Sequence, residues 1–169
     1  MKALIMLIMF VAAGMDRANA VPSLSALMEL PPFERAVLII RYYENLHGPE
    51  DWATIGYGHV VQPGEPYKEG VSLTEREADA LLRADLKKFC AMFRSFGKDS
   101  LLLACVSYNC GPAKILGGNG YKRSRLIRKL ESGNRDILKE YLSFCHYNGK
   151  VHQGIRRRRW VEYRLLWSR

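Results

Sequence analysis

The sequence predicts an α+β fold, in which a small antiparallel β-sheet lies beside a mainly helical lobe. Three observations predict it: a helical run ends at Glu44, a glycine-punctuated extended segment follows at 52–61, and apolar residues recur at helical spacing from Thr74 onwards. A sheet this small is not stable alone and must pack against helices. We therefore expect a cleft between the sheet and the helical lobe, where an elongated ligand can bind.

The first predicted helix follows Pro31-Pro32 and extends to about Leu46. Glu44 borders its apolar face at the C-terminal end, which is an unusual place for a carboxylate because helix C-termini favour cations. An acid that reaches solvent at the edge of the stripe would need no function. The apolar face consists of Ala36, Val37, Ile40 and Tyr43.

The segment from Trp52 to Val61 is expected to be extended, with Ile55, Tyr57 and His59 on one side. The residues that follow, 62–66, are rich in turn formers, so the sheet is expected to be a hairpin or three-stranded. His59 is expected to be structural, bonding another element across the fold.

Helices account for the rest of the chain. Thr74 and Glu77 form a capping box, and the nearly all-apolar run 101–109 indicates a central buried helix. Asn134 is expected to cap a helix that continues through Phe144. The remaining predictions are a helix at 124–132, a turn at Asn148-Gly149 and a last helix at 155–167.

Length and composition indicate one folded domain at 21–169, preceded by a signal peptide at 1–20. Lys2 precedes an apolar run too short to span a bilayer, and Ala18-Asn19-Ala20 is a small-x-small cleavage site. A buried N-terminal helix is the alternative. The signal peptide predicts an exported, periplasmic or extracellular protein. Nothing later in the chain is long and apolar enough to span a membrane, so we expect no stable membrane insertion.

The formal net charge of +9 at pH 7 suits an anionic partner such as a bacterial cell envelope. It would equally suit nucleic acid or lipid headgroups, so charge alone does not identify the partner. No aromatic-basic stacking ribbon or groove-reading helix signature indicates nucleic acid. No cofactor is expected, and no Cys or His spacing is typical of a metal site. The four cysteines, whose apolar neighbours favour buried free thiols over disulfides, are Cys90, Cys105, Cys110 and Cys145.

Five features, in the same order along residues 36–167, resemble the phage-type lysozymes, a glycoside hydrolase family. Any one of them is weak, but five in order are specific. They are Glu44 before Thr54-Ile55-Gly56-Tyr57-Gly58-His59, Leu73-Thr74-Glu75 with Ala78, Leu81, Leu82 and Asp85, the helix end Ser107-Tyr108-Asn109-Cys110-Gly111, the short helix from Leu126 to Gly133, and Gly154-Ile155 followed by four arginines and Glu162.

The resemblance implies a lysozyme-like fold and a monomeric muramidase whose partner is peptidoglycan. Such an enzyme hydrolyses the β-1,4 bond between N-acetylmuramic acid and N-acetylglucosamine. Glu44 takes the general-acid role, and the Thr54 hydroxyl holds the attacking water. Tyr57 and Asn109 are the expected substrate-binding residues, although Tyr57 could instead pack in the core. An arginine from Arg156 to Arg159 should approach Glu44, but the sequence does not identify which one.

Asp51 is the candidate second carboxylate. The turn between Glu44 and Thr54 is shorter here than in the family, and Glu50 and Asp51 are its only acids. Asp51 could activate water if it lies about 6.5–9.5 Å from Glu44, the separation of inverting glycosidases. It could equally be a solvent-exposed turn acid.

Two alternative functions remain open at this point. A lytic transglycosylase would cleave the same bond with Glu44 alone and form an anhydro sugar. A basic envelope-binding module would retain the fold without catalysis, although the presence of both Glu44 and Thr54 argues against a lapsed site.

Overall fold

The computed structural model describes residues 24–168, which form eight α-helices and two short antiparallel hairpins. The predicted signal peptide at 1–20 lies outside the described residues. The helices are α1 (Leu24–Glu29), α2 (Pro32–Glu44), α3 (Glu75–Met92), α4 (Ser100–Cys110), α5 (Ala113–Leu116), α6 (Arg125–Glu131), α7 (Leu138–Leu142) and α8 (Gln153–Leu166). The strands are β1 (Thr54–Ile55), β2 (His59–Val60), β3 (His146–Tyr147) and β4 (Lys150–Val151).

The central helix is α4, as its apolar sequence predicts. Every residue from 102 to 107 is buried, and α4 packs against α2, α3 and α8. One side of α4 contributes to an apolar cluster with α2 and α3, and the other side faces a second cluster with α6 and α7. A third, smaller cluster joins α1 and α2 to α8. The core therefore holds the two ends of the described chain together.

The predicted capping box at the start of α3 is confirmed. The Glu77 amide donates to the Thr74 hydroxyl at 3.3 Å, and the Thr74 amide donates to the Glu77 carboxylate at 2.8 Å. These bonds satisfy backbone donors that the first turn of a helix leaves without partners. The start of α3 is thereby fixed directly after the loop that follows the first hairpin.

The segment 52–61 is not one strand. It folds back as a two-stranded hairpin, in which Thr54 pairs with Val60 and Ile55 pairs with His59. The turn passes through Gly56 and Gly58, whose φ angles of +56° and +94° are strained for other residues. A three-residue turn, 56–58, therefore reverses the chain where alternation alone predicts continuous extension.

Two helix boundaries also differ from the predictions. The first long helix ends at Glu44, because Asn45 adopts a positive φ of 58°. Asn134 does not cap a helix: its side-chain oxygen accepts from the Asp136 amide at 2.9 Å, and α7 begins only at Leu138. Asparagine forms such local turns readily, so an asparagine in the sequence does not by itself indicate a helix N-cap.

The predicted α+β class is confirmed. The elements that the sequence did not predict are the short helices α1 and α5 and the hairpin β3–β4, which surrounds the predicted Asn148-Gly149 turn. Within residues 24–168, no helix is long and apolar enough to cross a membrane.

Candidate active site

Glu44 is the last residue of α2, and its side chain lies where α2, the first hairpin and α8 meet. A Cβ atom at Gly58 would lie 3.3 Å from the Cγ, Cδ and Oε2 atoms of Glu44. Glycine at this turn position therefore lets the hairpin backbone pack directly against the carboxyl group. The side chain is 19% exposed, so it remains accessible to a ligand from one side.

Arg158 is the arginine that reaches Glu44. Its Nη1 atom donates to Glu44 Oε1 at 2.5 Å, across 114 residues of sequence. Arg158 and Arg159 are buried, whereas Arg156 and Arg157 are exposed. The four arginines occupy successive positions of α8, and successive residues of a helix point about 100° apart. Only one pair of them can therefore face the core.

The guanidinium of Arg158 is anchored by Glu162, one turn further along α8. Arg158 Nε donates to Glu162 Oε1 at 2.9 Å, and Arg159 Nη2 lies 3.1 Å from the same oxygen. The Tyr141 hydroxyl donates to Glu162 Oε2 at 2.7 Å. Glu162 is completely buried, so these three donors compensate a charge that has no access to water.

These groups form a continuous charged network between Glu44 and the interior of the helical lobe. Burial lowers the pKa of Arg158, but the charges of Glu162 and Glu44 outweigh it and raise that pKa above its ordinary value. Burial raises the pKa of the Tyr141 hydroxyl, which remains a hydrogen-bond donor. Sequence reasoning did not identify this network. The i to i+4 spacing of Arg158 and Glu162 is the signal that could have found it.

Two tyrosines line the surroundings of Glu44. The Arg158 guanidinium lies 5.6 Å from the centre of the Tyr43 ring, and burial, with the neighbouring Tyr42, raises the pKa of Tyr43 to about 12. The Tyr108 hydroxyl donates to the Tyr57 carbonyl at 2.9 Å, which ties the end of α4 to the hairpin turn. Burial, Asp85 and Glu44 raise the pKa of Tyr108. Both hydroxyls therefore stay protonated near neutral pH.

The structure places Asp51 in a 3-10 turn at Pro49–Asp51, between α2 and the hairpin. Its Oδ2 atom accepts from the Gly48 amide at 3.0 Å and lies 3.1 Å from His47 Nδ1. Its side chain is 43% exposed. Thr54 begins β1 and is half-buried. No hydrogen bond or ion pair within residues 24–168 joins either residue to Glu44.

The two predicted substrate-binding residues occupy different environments. Tyr57 is buried in the apolar cluster shared by α2, α3 and α4, and the Arg41 guanidinium covers its ring at 5.0 Å. The structure thus places it among core residues. Asn109 is exposed at the end of α4, where its side-chain oxygen accepts from Arg159 Nη2 at 3.1 Å. Asn109 is therefore attached to the charged network that leads to Glu44.

His59 connects the hairpin to α3 and to the following loop. Its Nδ1 and Nε2 atoms lie 2.6 Å from an Asp85 oxygen and 2.8 Å from a Glu65 oxygen. Burial lowers the pKa of His59, but the bonds to Glu65 and Asp85 outweigh it, so the pKa is raised overall. This placement agrees with the structural role predicted for His59.

All four cysteines lie in the described part of the chain and are free thiols, as their apolar neighbours predict, but only Cys105 and Cys145 are buried and Cys90 and Cys110 are partly exposed. Burial raises the pKa values of Cys90, Cys105 and Cys110, which disfavours the reactive thiolate. Residues 24–168 contain no group of three or more His, Cys, Asp or Glu side chains that could hold a metal ion.

Comparisons with known proteins show which family and which solved structures this chain resembles. The family model for phage lysozyme matches residues 41–162. An endolysin from the Escherichia coli O157:H7 phage FAHEc1 is similar in structure, with a TM-score of 0.61 and 24% identity over 82% of this chain and 94% of that one. The muramidase domain of SpmX from Asticaccaulis excentricus gives a TM-score of 0.62 and 24% identity, over 79% of this chain and 95% of that one. A search of curated proteins found no match. The predicted lysozyme-like fold is confirmed.

Proposed function

Because this chain belongs to the phage lysozyme family, we propose that it is a peptidoglycan hydrolase of the muramidase type. Its substrate would be the β-1,4 bond between N-acetylmuramic acid and N-acetylglucosamine. Family membership supports a glycosidase that acts on peptidoglycan, and the choice of bond is our proposal. The formal net charge of +9 is favourable for binding an anionic cell wall.

The observation that carries this proposal is the position of Glu44, held between a glycine turn and a buried arginine. A glycosidase must protonate the oxygen that leaves the sugar, and a carboxylic acid within reach of that oxygen can do so. When Glu44 gives up its proton it becomes negative, and Arg158 Nη1 already lies against its Oε1 atom. The guanidinium would therefore stabilise the charge that develops on the acid during bond cleavage.

We propose that Asp51 and Thr54 act on the attacking water. Asp51 would be the general base, and the Thr54 hydroxyl would orient the water. Both lie in the short connection and hairpin that follow Glu44. The second candidate function is a lytic transglycosylase, which uses one acid. It is favoured by the hydrogen bond from Gly48 to Asp51, because that bond gives the Asp51 carboxylate a role in the turn.

We also propose that residues 1–20 are removed as a signal peptide and that the domain at 21–169 acts outside the cytoplasm as a monomer. Peptidoglycan lies in that compartment, so export would bring the enzyme to its substrate. Tyr57 and Asn109 remain proposals as substrate contacts. Of the two, the exposed Asn109 is better placed to reach a glycan.

The test is digestion of purified peptidoglycan, with the products analysed by mass spectrometry. Wild type is compared with Glu44→Gln, Asp51→Asn and, as a control for a lost carboxylate elsewhere, Glu131→Gln. A lost general acid should lower the rate by about 10²–10⁴-fold. Reducing muramic ends that disappear in Glu44→Gln and Asp51→Asn would support the two-acid muramidase.

Other products would change the conclusion. Anhydro-muramic ends, with Asp51→Asn still active, would establish the transglycosylase. Full activity of Glu44→Gln would contradict both enzymatic proposals. Wall binding without cleavage by the wild type would leave a non-catalytic envelope-binding module.

A further inference from the structure

The outer face of α8 carries a stripe of alternating aromatic and cationic side chains. His152, Arg156, Trp160 and Arg164 follow one another at intervals of four residues, and all four are exposed. Residues four apart on a helix are neighbours, offset by about 40° around its axis, so these residues form a continuous row that winds gradually around the helix. Because a helix rises about 1.5 Å per residue, the row is about 18 Å long. We call it the basic-aromatic stripe.

Contacts between neighbouring side chains link two members of the stripe and extend it at one end. The Arg164 guanidinium lies 5.5 Å from the centre of the Trp160 ring. The Tyr147 ring lies 6.4 Å from the His152 ring, so the hairpin β3–β4 extends the stripe beyond the start of α8. Tyr147 is 63% exposed and Trp160 is 37% exposed. Two large aromatic rings are thus presented to solvent between the cations.

The segment that carries the stripe, residues 143–168, has no exposed acid. From 143 to 168 the exposed cations are Lys150, Arg156, Arg157 and Arg164, whereas the single acid, Glu162, is completely buried. In the described part of the chain, none of these four cations takes part in an ion pair. Their charge is therefore available to a partner.

The shape and chemistry of the stripe indicate what that partner is. The stripe runs along the solvent-exposed side of a single helix, a geometry that can contact a flat surface. Arginines pair with lipid phosphates, while tryptophan and tyrosine rings favour the headgroup level of a bilayer. A polyanion without bases or apolar groups, such as polyphosphate, would attract the cations but would gain little from the two rings.

We propose that the basic-aromatic stripe docks this protein peripherally on an anionic phospholipid bilayer. The helix would lie parallel to the membrane plane, with its arginines at the phosphates and Trp160 at the headgroup level. Arg158 and Arg159 point from the same helix into the core, so docking leaves the charged network at Glu44 intact. The proposal uses no residue of that network and does not depend on the enzymatic function.

The test is sedimentation of the proposed mature chain, residues 21–169, with lipid vesicles, because the apolar run at 3–15 could itself bind lipid. Vesicles of phosphatidylglycerol and phosphatidylcholine in equal parts are compared with vesicles of phosphatidylcholine alone. The double variant Arg156→Gln/Arg164→Gln is compared with Arg76→Gln/Lys87→Gln, which removes two exposed cations from α3 instead. Trp160→Ser removes the ring without changing the charge. Thermal unfolding verifies that each variant is folded.

We expect wild type to bind the anionic vesicles alone. The stripe double variant should bind roughly tenfold more weakly or worse, because two arginines at the lipid phosphates are lost. The α3 control should stay close to wild type, and Trp160→Ser should also weaken binding. Equal losses in both double variants, or unchanged binding of Trp160→Ser, would overturn the proposal. So would binding to soluble polyphosphate without binding to vesicles.

Discussion

Replacing Glu162 by glutamine removes the buried negative charge on which the network behind Glu44 depends. The substitution preserves the size of the side chain. Three donors now converge on this carboxylate, at 2.7, 2.9 and 3.1 Å, and none of its surface is exposed. After the change, Arg158 would keep only Glu44 as an ionic partner, and within the described residues Arg159 would have no ionic partner left. Loss of one partner from a buried ion pair costs about 3–5 kcal/mol of folding free energy.

The expected effect on the unfolding temperature follows from that cost. In a domain of this size, each kcal/mol lowers the midpoint by about 2–4 °C, so Glu162→Gln should unfold about 6–20 °C below wild type. Calorimetry or circular dichroism at pH 7 would measure the shift. Denaturant titration would show whether the free energy of unfolding falls without a change in its slope.

Glu131→Gln is the matched control. It makes the same chemical change in an ion pair with Arg123, whose two side chains are 42% and 47% exposed. Exposed pairs contribute about 1 kcal/mol or less, so this variant should stay within a few degrees of wild type. If both variants lose the same small amount of stability, the buried network contributes no more to the free energy of unfolding than an exposed ion pair.

Two further predictions concern the first hairpin. Because the pKa of His59 is raised in the folded state, its stabilising effect is complete below the unfolded value of about 6.5 and is lost as the pH rises through the folded value. The gap in unfolding temperature between wild type and His59→Gln should therefore be larger at pH 6 than at pH 9, and a gap that widens with pH would contradict this. Gly58→Ala should lower peptidoglycan digestion because the added Cβ would lie 3.3 Å from the Glu44 carboxyl. Gly64→Ala has a similar φ, +91° against +94°, and no atom within 4 Å of its Cβ, so it should lose stability but keep activity. Equal activity losses would refute the proximity argument.

The features that the sequence predicted well are those set by local interactions. The Thr74 capping box depends on residues three apart, and the buried character of α4 follows from its own apolar composition. In both cases the deciding signal lies within a short stretch of sequence. The role of Glu44 stays a prediction: the resemblance to the phage-type lysozymes assigns it, because the position of an acid at a helix C-terminus is also compatible with no function.

The features that the sequence could not resolve depend on distant parts of the chain. The choice of Arg158 among four successive arginines requires the rotation of α8 against α2, which only the packed core fixes. Tyr57 illustrates the same difficulty, because a tyrosine between two glycines could face a groove or the core. The prediction that Asn134 caps a helix was wrong for a different reason. An asparagine side chain can accept a hydrogen bond either from the first turn of a helix or from a local turn, and here it accepts from the Asp136 amide.

The pairing of Glu44 with Arg158 has a consequence for biosynthesis. The acid lies in the first long helix of the chain and the arginine in the last described one, 114 residues later. A protein is synthesised from its N-terminus, and its early elements can fold before the late ones exist. The growing chain therefore carries the acid well before its guanidinium, and the charged centre is complete only when α8 docks on α2. A chain truncated before α8 would retain Glu44 and the hairpin without either arginine.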